Sequence, residues 1–109
     1  MKITEVLEQI QKYQIVPVAS LKNLDEVQQV TNHLVKTNLP IIEITFRTGN
    51  AGEFIQYAKK ENPQMIVGAG YVDCVKMAKD AIHAGADFLV MPGLNEDVVK
   101  SCKKKNVLC

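Results

Sequence analysis

Glu43, Thr45 and Arg47 stand two residues apart in the run LPIIEITFRTGN, residues Leu39–Asn50. Side chains along a strand alternate between its faces, so these three share one face and Ile42, Ile44 and Phe46 the other. A carboxylate can take up and return a proton, and a guanidinium offers a planar fork to another carboxylate. At about 3.3 Å per residue, the acid and the guanidinium lie roughly 13 Å apart in line on the same face. A hydrated surface strand would carry the same residue types, so the surrounding elements decide what these groups face.

Those elements repeat. A leading helix carries Val6, Leu7 and Ile10, and IVPVAS reads as a first strand. Asn23 is placed to cap a helix burying Leu24, Val27, Val30 and Leu34, with Asp25 and Glu26 in its positive first turn. IIEITF is a second strand, followed by a helix over Ala51–Lys60 with Phe54, Ile55 and Ala58 inward. MIVGAG is a third strand. Asp73 is expected to cap the next helix, which carries Val75, Met77, Ala78 and Ile82 and stops at Gly85. DFLVMPG is a fourth strand, Asn95 caps a helix with Val98, Val99 and Cys102, and NVLC resembles the start of a fifth strand. No linker or low-complexity tract divides residues 1–109, which read as a single domain.

Strands recur about every 22 to 26 residues, the length of one βα unit, and alternating units imply a parallel sheet with right-handed crossovers. A doubly wound sheet buries its central strands on both faces and makes them apolar throughout. A face built from Glu43, Thr45 and Arg47 instead suits a barrel lumen, climbing toward the C-terminal mouth where such folds hold their active sites. The fold class expected is α/β, of the parallel (βα) barrel type. A complete barrel typically takes about 250 residues and eight strands, so 109 residues supply a half-barrel of four βα units behind a leading helix.

Composition narrows the function. Net charge is +1, giving no general pull toward nucleic acid or anionic membranes, and neither is expected as a partner. Lys103–Lys105 falls at the end of a predicted helix, where it complements the dipole. No apolar run approaches the roughly 20 residues of a membrane span, and the N-terminus, punctuated by Glu5, Glu8 and Lys12, lacks a signal-peptide block. Three scattered cysteines suit free thiols in a reducing compartment, so a cytoplasmic location is expected. Neither His33 nor His83 has a partner at metal-ligand spacing, and no zinc site is expected. Gly68–Ala69–Gly70 is no dinucleotide fingerprint, because the third glycine would fall at Asp73. Its small residues leave room at the strand end for another group, here read as a small ligand.

In order along the chain, VPVASLKN, IIEITFRTGN, IVGAGYV and AGADFLVMPGLNEDVV resemble the N-terminal half of the family of 2-dehydro-3-deoxy-6-phosphogluconate (KDPG) and 4-hydroxy-2-oxoglutarate aldolases. The resemblance implies a class I aldolase on a (βα)8 barrel, working without a cofactor. Such enzymes cleave the keto sugar acid phosphate to pyruvate and glyceraldehyde 3-phosphate through a lysine Schiff base. It implies that Glu43 shuttles protons and that Arg47 grips the carboxylate of the pyruvate moiety. Thr48, Gly68, Gly70, Tyr71 and Pro92 complete the expected substrate contacts. Enclosure should raise the pKa of Glu43 unless a cation such as Arg47 offsets it. The alternative role for that pair is an internal ion pair that merely fills the barrel.

Two departures stand out. Tyr71 replaces the threonine usual in the family, so its phenol must crowd the pyruvate pocket or swing away. The Schiff-base lysine belongs to the family's sixth strand and the phosphate site to its last two βα loops, beyond the four units here. Lys22 is the only lysine near a predicted strand C-terminus. Three readings result: part of an aldolase that is inactive alone, a non-catalytic half-barrel that self-assembles, and a small doubly wound binding domain. Uncovered sheet edges make a homo-oligomer the expected partner state for a half-barrel.

Overall fold

A few polar side chains fix where the helices begin and end. Asn23 accepts the Glu26 N–H at 2.8 Å, while the Glu26 carboxylate accepts the Lys22 N–H at 2.8 Å. Helix α2 (Leu24–Lys36) therefore starts on a reciprocal cap. Its predecessor α1 spans Ile3–Tyr13, and α3 spans Ala51–Glu61. Helix α4 (Val75–Ala84) ends at Gly85, whose φ of 99° only glycine adopts without strain. Asn95 opens α5 (Glu96–Lys105) by accepting from the N–H groups of Asp97 and Val98. The computed structural model describes residues 1–47 and 49–109.

Asp73 does not cap α4. The N-cap is Cys74, which makes no side-chain cap bond, because the loop reaches one residue further than the sequence pattern suggested. The Asp73 carbonyl instead accepts from the Asn95 side-chain amide at 3.0 Å, tying the β3–α4 loop to the start of α5. Leu24, expected inward, is 36% exposed; Val27 and Thr31 make the buried stripe of α2.

Four parallel strands, β1 (Val18–Ala19), β2 (Ile41–Thr45), β3 (Ile66–Gly70) and β4 (Phe88–Leu89), pair in sequential order. A doubly wound sheet reverses its strand order at a switch point; this one does not. Leu108 forms a parallel bridge to Phe88, so the fifth strand read in NVLC has begun. β1 and β4 are shorter than their sequence patterns implied: each pairs over two residues, with β2 and β3 respectively, whereas β2 and β3 pair with each other over five.

Packing separates the two sheet faces. Ile42, Ile44, Val67, Ala69 and Leu89 join the apolar stripes of α2–α5 in the main core. On the other face Ile41, Ile66 and Phe88 pack with Val6 of α1, flanked by Ile10, Tyr13 and Leu108. Helix α1 thus closes the N-terminal end of the inner face. The Phe88 ring lies where a Cβ on Gly68 would be, so that glycine admits the ring.

One charged staple joins the layers. Asp87 accepts from Lys59 Nζ at 2.9 Å and from the Val67 N–H at 2.9 Å, and Lys59 also donates to the Met65 carbonyl at 2.9 Å. The carboxylate side chain is 5% exposed and the ammonium side chain 21%. Removing Asp87 leaves a buried N–H and a partly buried cation without their acceptor. Asp87→Ala is expected to cost about 2–3 kcal/mol in urea unfolding, whereas neutral behaviour would mean the staple is ornamental.

Candidate functional site

Strand register builds the inner face in rungs. Ile41 pairs with Ile66 at the closed end; Glu43 sits between Val18 and Gly68; Thr45 pairs with Gly70. The Thr45 hydroxyl is 3.0 Å from that of Ser20, which follows β1. Apolar at the N-terminal end, the face becomes polar toward the C-terminal end. In barrels, that is the end that carries chemistry.

Gly70 gives Glu43 its place. A Cβ on that residue would overlap the Glu43 carboxylate, so the acid leans along the strand and across onto bare glycine backbone. Glu43 is half-buried, and desolvation raises its pKa above the ordinary value of 4.5. No cation offsets this: Glu43 and Arg47 form no ion pair among the described residues. The guanidinium instead lies over the Tyr71 ring, 5.0 Å from its centroid, a contact worth about 0.5–1 kcal/mol when exposed. The carboxylate thus holds its proton more tightly than an exposed glutamate does, and the guanidinium has no ion-pair partner among the described residues.

The sequence-derived site residues are therefore brought together in two pairs, Glu43 with Gly70 and Arg47 with Tyr71. Tyr71 swings out, 41% exposed. Room at Gly68 is taken by the Phe88 ring. Pro92 lies exposed in the segment after β4. Thr48 lies outside the described residues. Lys22 is exposed in the β1–α2 loop, engaged through its backbone N–H. Ser20 and Thr45 escaped the sequence reading as a pair, although the two-residue alternation from Glu43 to Thr45 was the available signal.

A cleft of about 840 Å³ lies at the opposite end, lined by Glu5, Glu8, Tyr13, Asn38, Glu61 and Met65. Glu43 does not line it, because the acid lies toward the other end of the strands. Among the described residues no group of three His, Cys, Asp or Glu could hold a metal, and no helix is long and apolar enough to cross a membrane.

Sequential parallel strands with α2–α5 packed on one face and α1 at the N-terminal end of the other define half of a parallel (βα) barrel. The chain belongs to the KDPG and KHG aldolase family, whose profile matches residues 6–109. It is 35% identical over 102 residues to the 2-dehydro-3-deoxy-phosphogluconate aldolase of Haemophilus influenzae, covering 94% of this chain and 48% of that protein. The crystal structure of the 2-keto-3-deoxy-6-phosphogluconate aldolase of Zymomonas mobilis with 3-phosphoglycerate superposes with a TM-score of 0.85 at 30% identity, covering 96% of this chain and 50% of that one. The KDPG aldolase of Legionella pneumophila, captured with pyruvate as a covalent carbinolamine, matches at a TM-score of 0.80 and 25% identity over 85% of this chain and 45% of that one. The chain spans about half the length of these relatives.

Because the folded state raises the Glu43 pKa, the native protein holds that proton to higher pH than the unfolded chain does. Stability should fall as pH rises from about 4.5 through the raised value, then level off. Glu43→Gln is expected to be more stable than wild type at pH 7 and to converge with it below about pH 4.5. Parallel urea titrations at the two pH values check this, and a difference independent of pH would refute the buried-acid assignment. Gly70→Ala, which drives a methyl into the carboxylate, should cost about 1–3 kcal/mol.

Proposed function

We propose that the chain provides the acid–base and carboxylate-gripping half of a class I aldolase that cleaves 2-dehydro-3-deoxy-6-phosphogluconate to pyruvate and glyceraldehyde 3-phosphate. The observation that carries this reading is the Glu43 carboxylate, desolvated and free of Arg47, leaning over Gly70 at the C-terminal end of the inner face. A carbinolamine forms when an amine adds to a ketone carbonyl. It becomes an iminium only when its hydroxyl receives a proton and leaves as water. A glutamic acid with a raised pKa can donate there, and its conjugate base can then take the proton of the hydroxyl on the carbon β to the iminium. As it does so, the bond from that carbon to its neighbour breaks and the electron pair passes into the iminium, leaving the enamine of pyruvate and an aldehyde. Arg47, which has no ion-pair partner among the described residues, suits the carboxylate of a 2-keto acid. Gly70, Tyr71, Thr48 and Pro92 border the substrate in this reading, whereas Gly68 is covered by the Phe88 ring.

The amine comes from outside these four strands. Lys59 is committed to Asp87, and Lys22 is exposed in a loop. The chain alone is therefore proposed to be inactive. Its three free thiols support a reducing, cytoplasmic setting.

A second reading, a self-assembling half-barrel without catalysis, is favoured by the 62% exposure of Val18 on the inner face of edge strand β1. Sedimentation equilibrium tests it: a dimeric mass supports association of two copies, and a monomer argues against it.

Borohydride trapping with pyruvate, read by intact mass, tests the main reading. Residues 1–109 alone are expected to give no stoichiometric adduct. A chimera that joins them to the complementary half of the Haemophilus influenzae relative should give one. In that chimera Glu43→Gln should slow trapping about 10²- to 10⁴-fold. A folded chimera that turns over no substrate and traps nothing would remove the aldolase reading, and an adduct on Lys22 in the isolated chain would relocate its nucleophile.

A further inference from the structure

Tyr71 has a left-handed backbone, with φ at 58°. The other non-glycine residues in this region are Gln14, Asn38 and Asn106. Gln14 and Asn106 are helix C-caps, and Asn38 directly follows the C-cap of α2. There the left-handed turn satisfies the last carbonyls. Tyr71 ends no helix, and a bulky side chain in this region is strained by its own Cβ. Such strain persists only where the surroundings impose it, and it gathers at functional sites. Here it accompanies the placement of the ring against Arg47, whose guanidinium carbon is 5.0 Å from the ring centroid.

An aromatic ring engages the cation without a carboxylate, so those of the five guanidinium N–H donors that do not point at the ring stay available to an anion. Arg47 has no carboxylate partner among the described residues. A free arginine of this kind would sample many rotamers, and a ligand would have to freeze them on binding. We propose that Tyr71 is a positioning residue: it holds Arg47 by the π face so that the guanidinium edge is presented, already ordered, to the carboxylate of a 2-keto acid. The ligand class rests on the aldolase reading above. The resemblance implies a threonine at this position that would help hold the carboxylate directly, whereas the tyrosine acts through the arginine.

The test uses ¹⁵N-labelled protein and its Tyr71→Phe and Tyr71→Asn variants. Asparagine tolerates left-handed φ, so the second variant removes the ring without adding backbone strain. The Arg47 Nε–H signal is expected to be displaced by the ring in wild type and Tyr71→Phe and to return to its ordinary position in Tyr71→Asn. Pyruvate titrated into the three proteins should bind Tyr71→Asn about two- to fivefold more weakly than the other two. An Arg47 signal unaffected by the ring, or equal pyruvate affinities in all three, overturns the positioning role and leaves the keto-acid site standing. No pyruvate response in any of the three, with the ring shift intact, overturns the keto-acid reading and removes the purpose assigned to Tyr71.

Discussion

The Glu43 carboxylate occupies volume that any side chain at position 70 would fill, and the rest of the inner face is arranged around that fit. Parallel pairing of β2 with β3 sets Thr45, two residues above Glu43, level with Gly70, so the acid must lean toward the C-terminal end to reach the bare backbone. That lean takes it away from the apolar rung of Ile41 and Ile66 and toward the Ser20–Thr45 hydroxyls. Burial still raises its pKa, because the protein walls displace water without supplying a cation. A larger residue at position 70 would press on the carboxyl, and a residue at 43 too short to lean would leave the glycine facing water.

The same device operates one rung lower with the opposite chemistry. At Gly68 the missing side chain admits the Phe88 ring, which packs with Val6, Ile41 and Ile66 and closes the N-terminal end beneath α1. Two glycines on one face of β3 thus accept a ring below and a carboxylate above. Because the ring and α1 keep water from the closed end, the polar groups concentrate at the other. Asp87 and Lys59 anchor β4 to α3 and to the start of β3, which steadies the strand that supplies the ring.

Much of this was legible in the residues. Asn23 and Asn95 cap where their side chains and the first-turn acids indicated, and Gly85 ends α4 because a left-handed stop needs a glycine. The alternation in β2 announced a sheet with one polar and one apolar face, and the sequential strand order agrees. What escaped was set by non-local contact. Whether Asp73 or Cys74 caps α4 depends on Asn95, 22 residues away, claiming the Asp73 carbonyl. Spacing in β2 could not show that the acid leans onto β3, since that requires the register with Gly70. Nor could it show the conformation of Tyr71, which local preference disfavours. The Asp87–Lys59 staple joins the first residue of the DFLVMPG run to a residue 28 positions earlier, which local pattern does not reveal.

Keeping Glu43 and Arg47 apart matters more than having both. Paired, each would consume the other: the acid would be held ionised and the guanidinium fork filled, leaving neither a proton donor nor a carboxylate grip. Arg47 lies in the turn past the end of β2, the glycine draws the acid toward β3, and the tyrosine ring draws the arginine to its own face. The ring engages the cation without supplying a carboxylate to its fork. A barrel-filling ion pair would need none of these features. In the function proposed above, a raised acid, an arginine without an ion-pair partner among the described residues and a left-handed tyrosine at adjoining strand ends would together meet a substrate with both a carbonyl and a carboxylate.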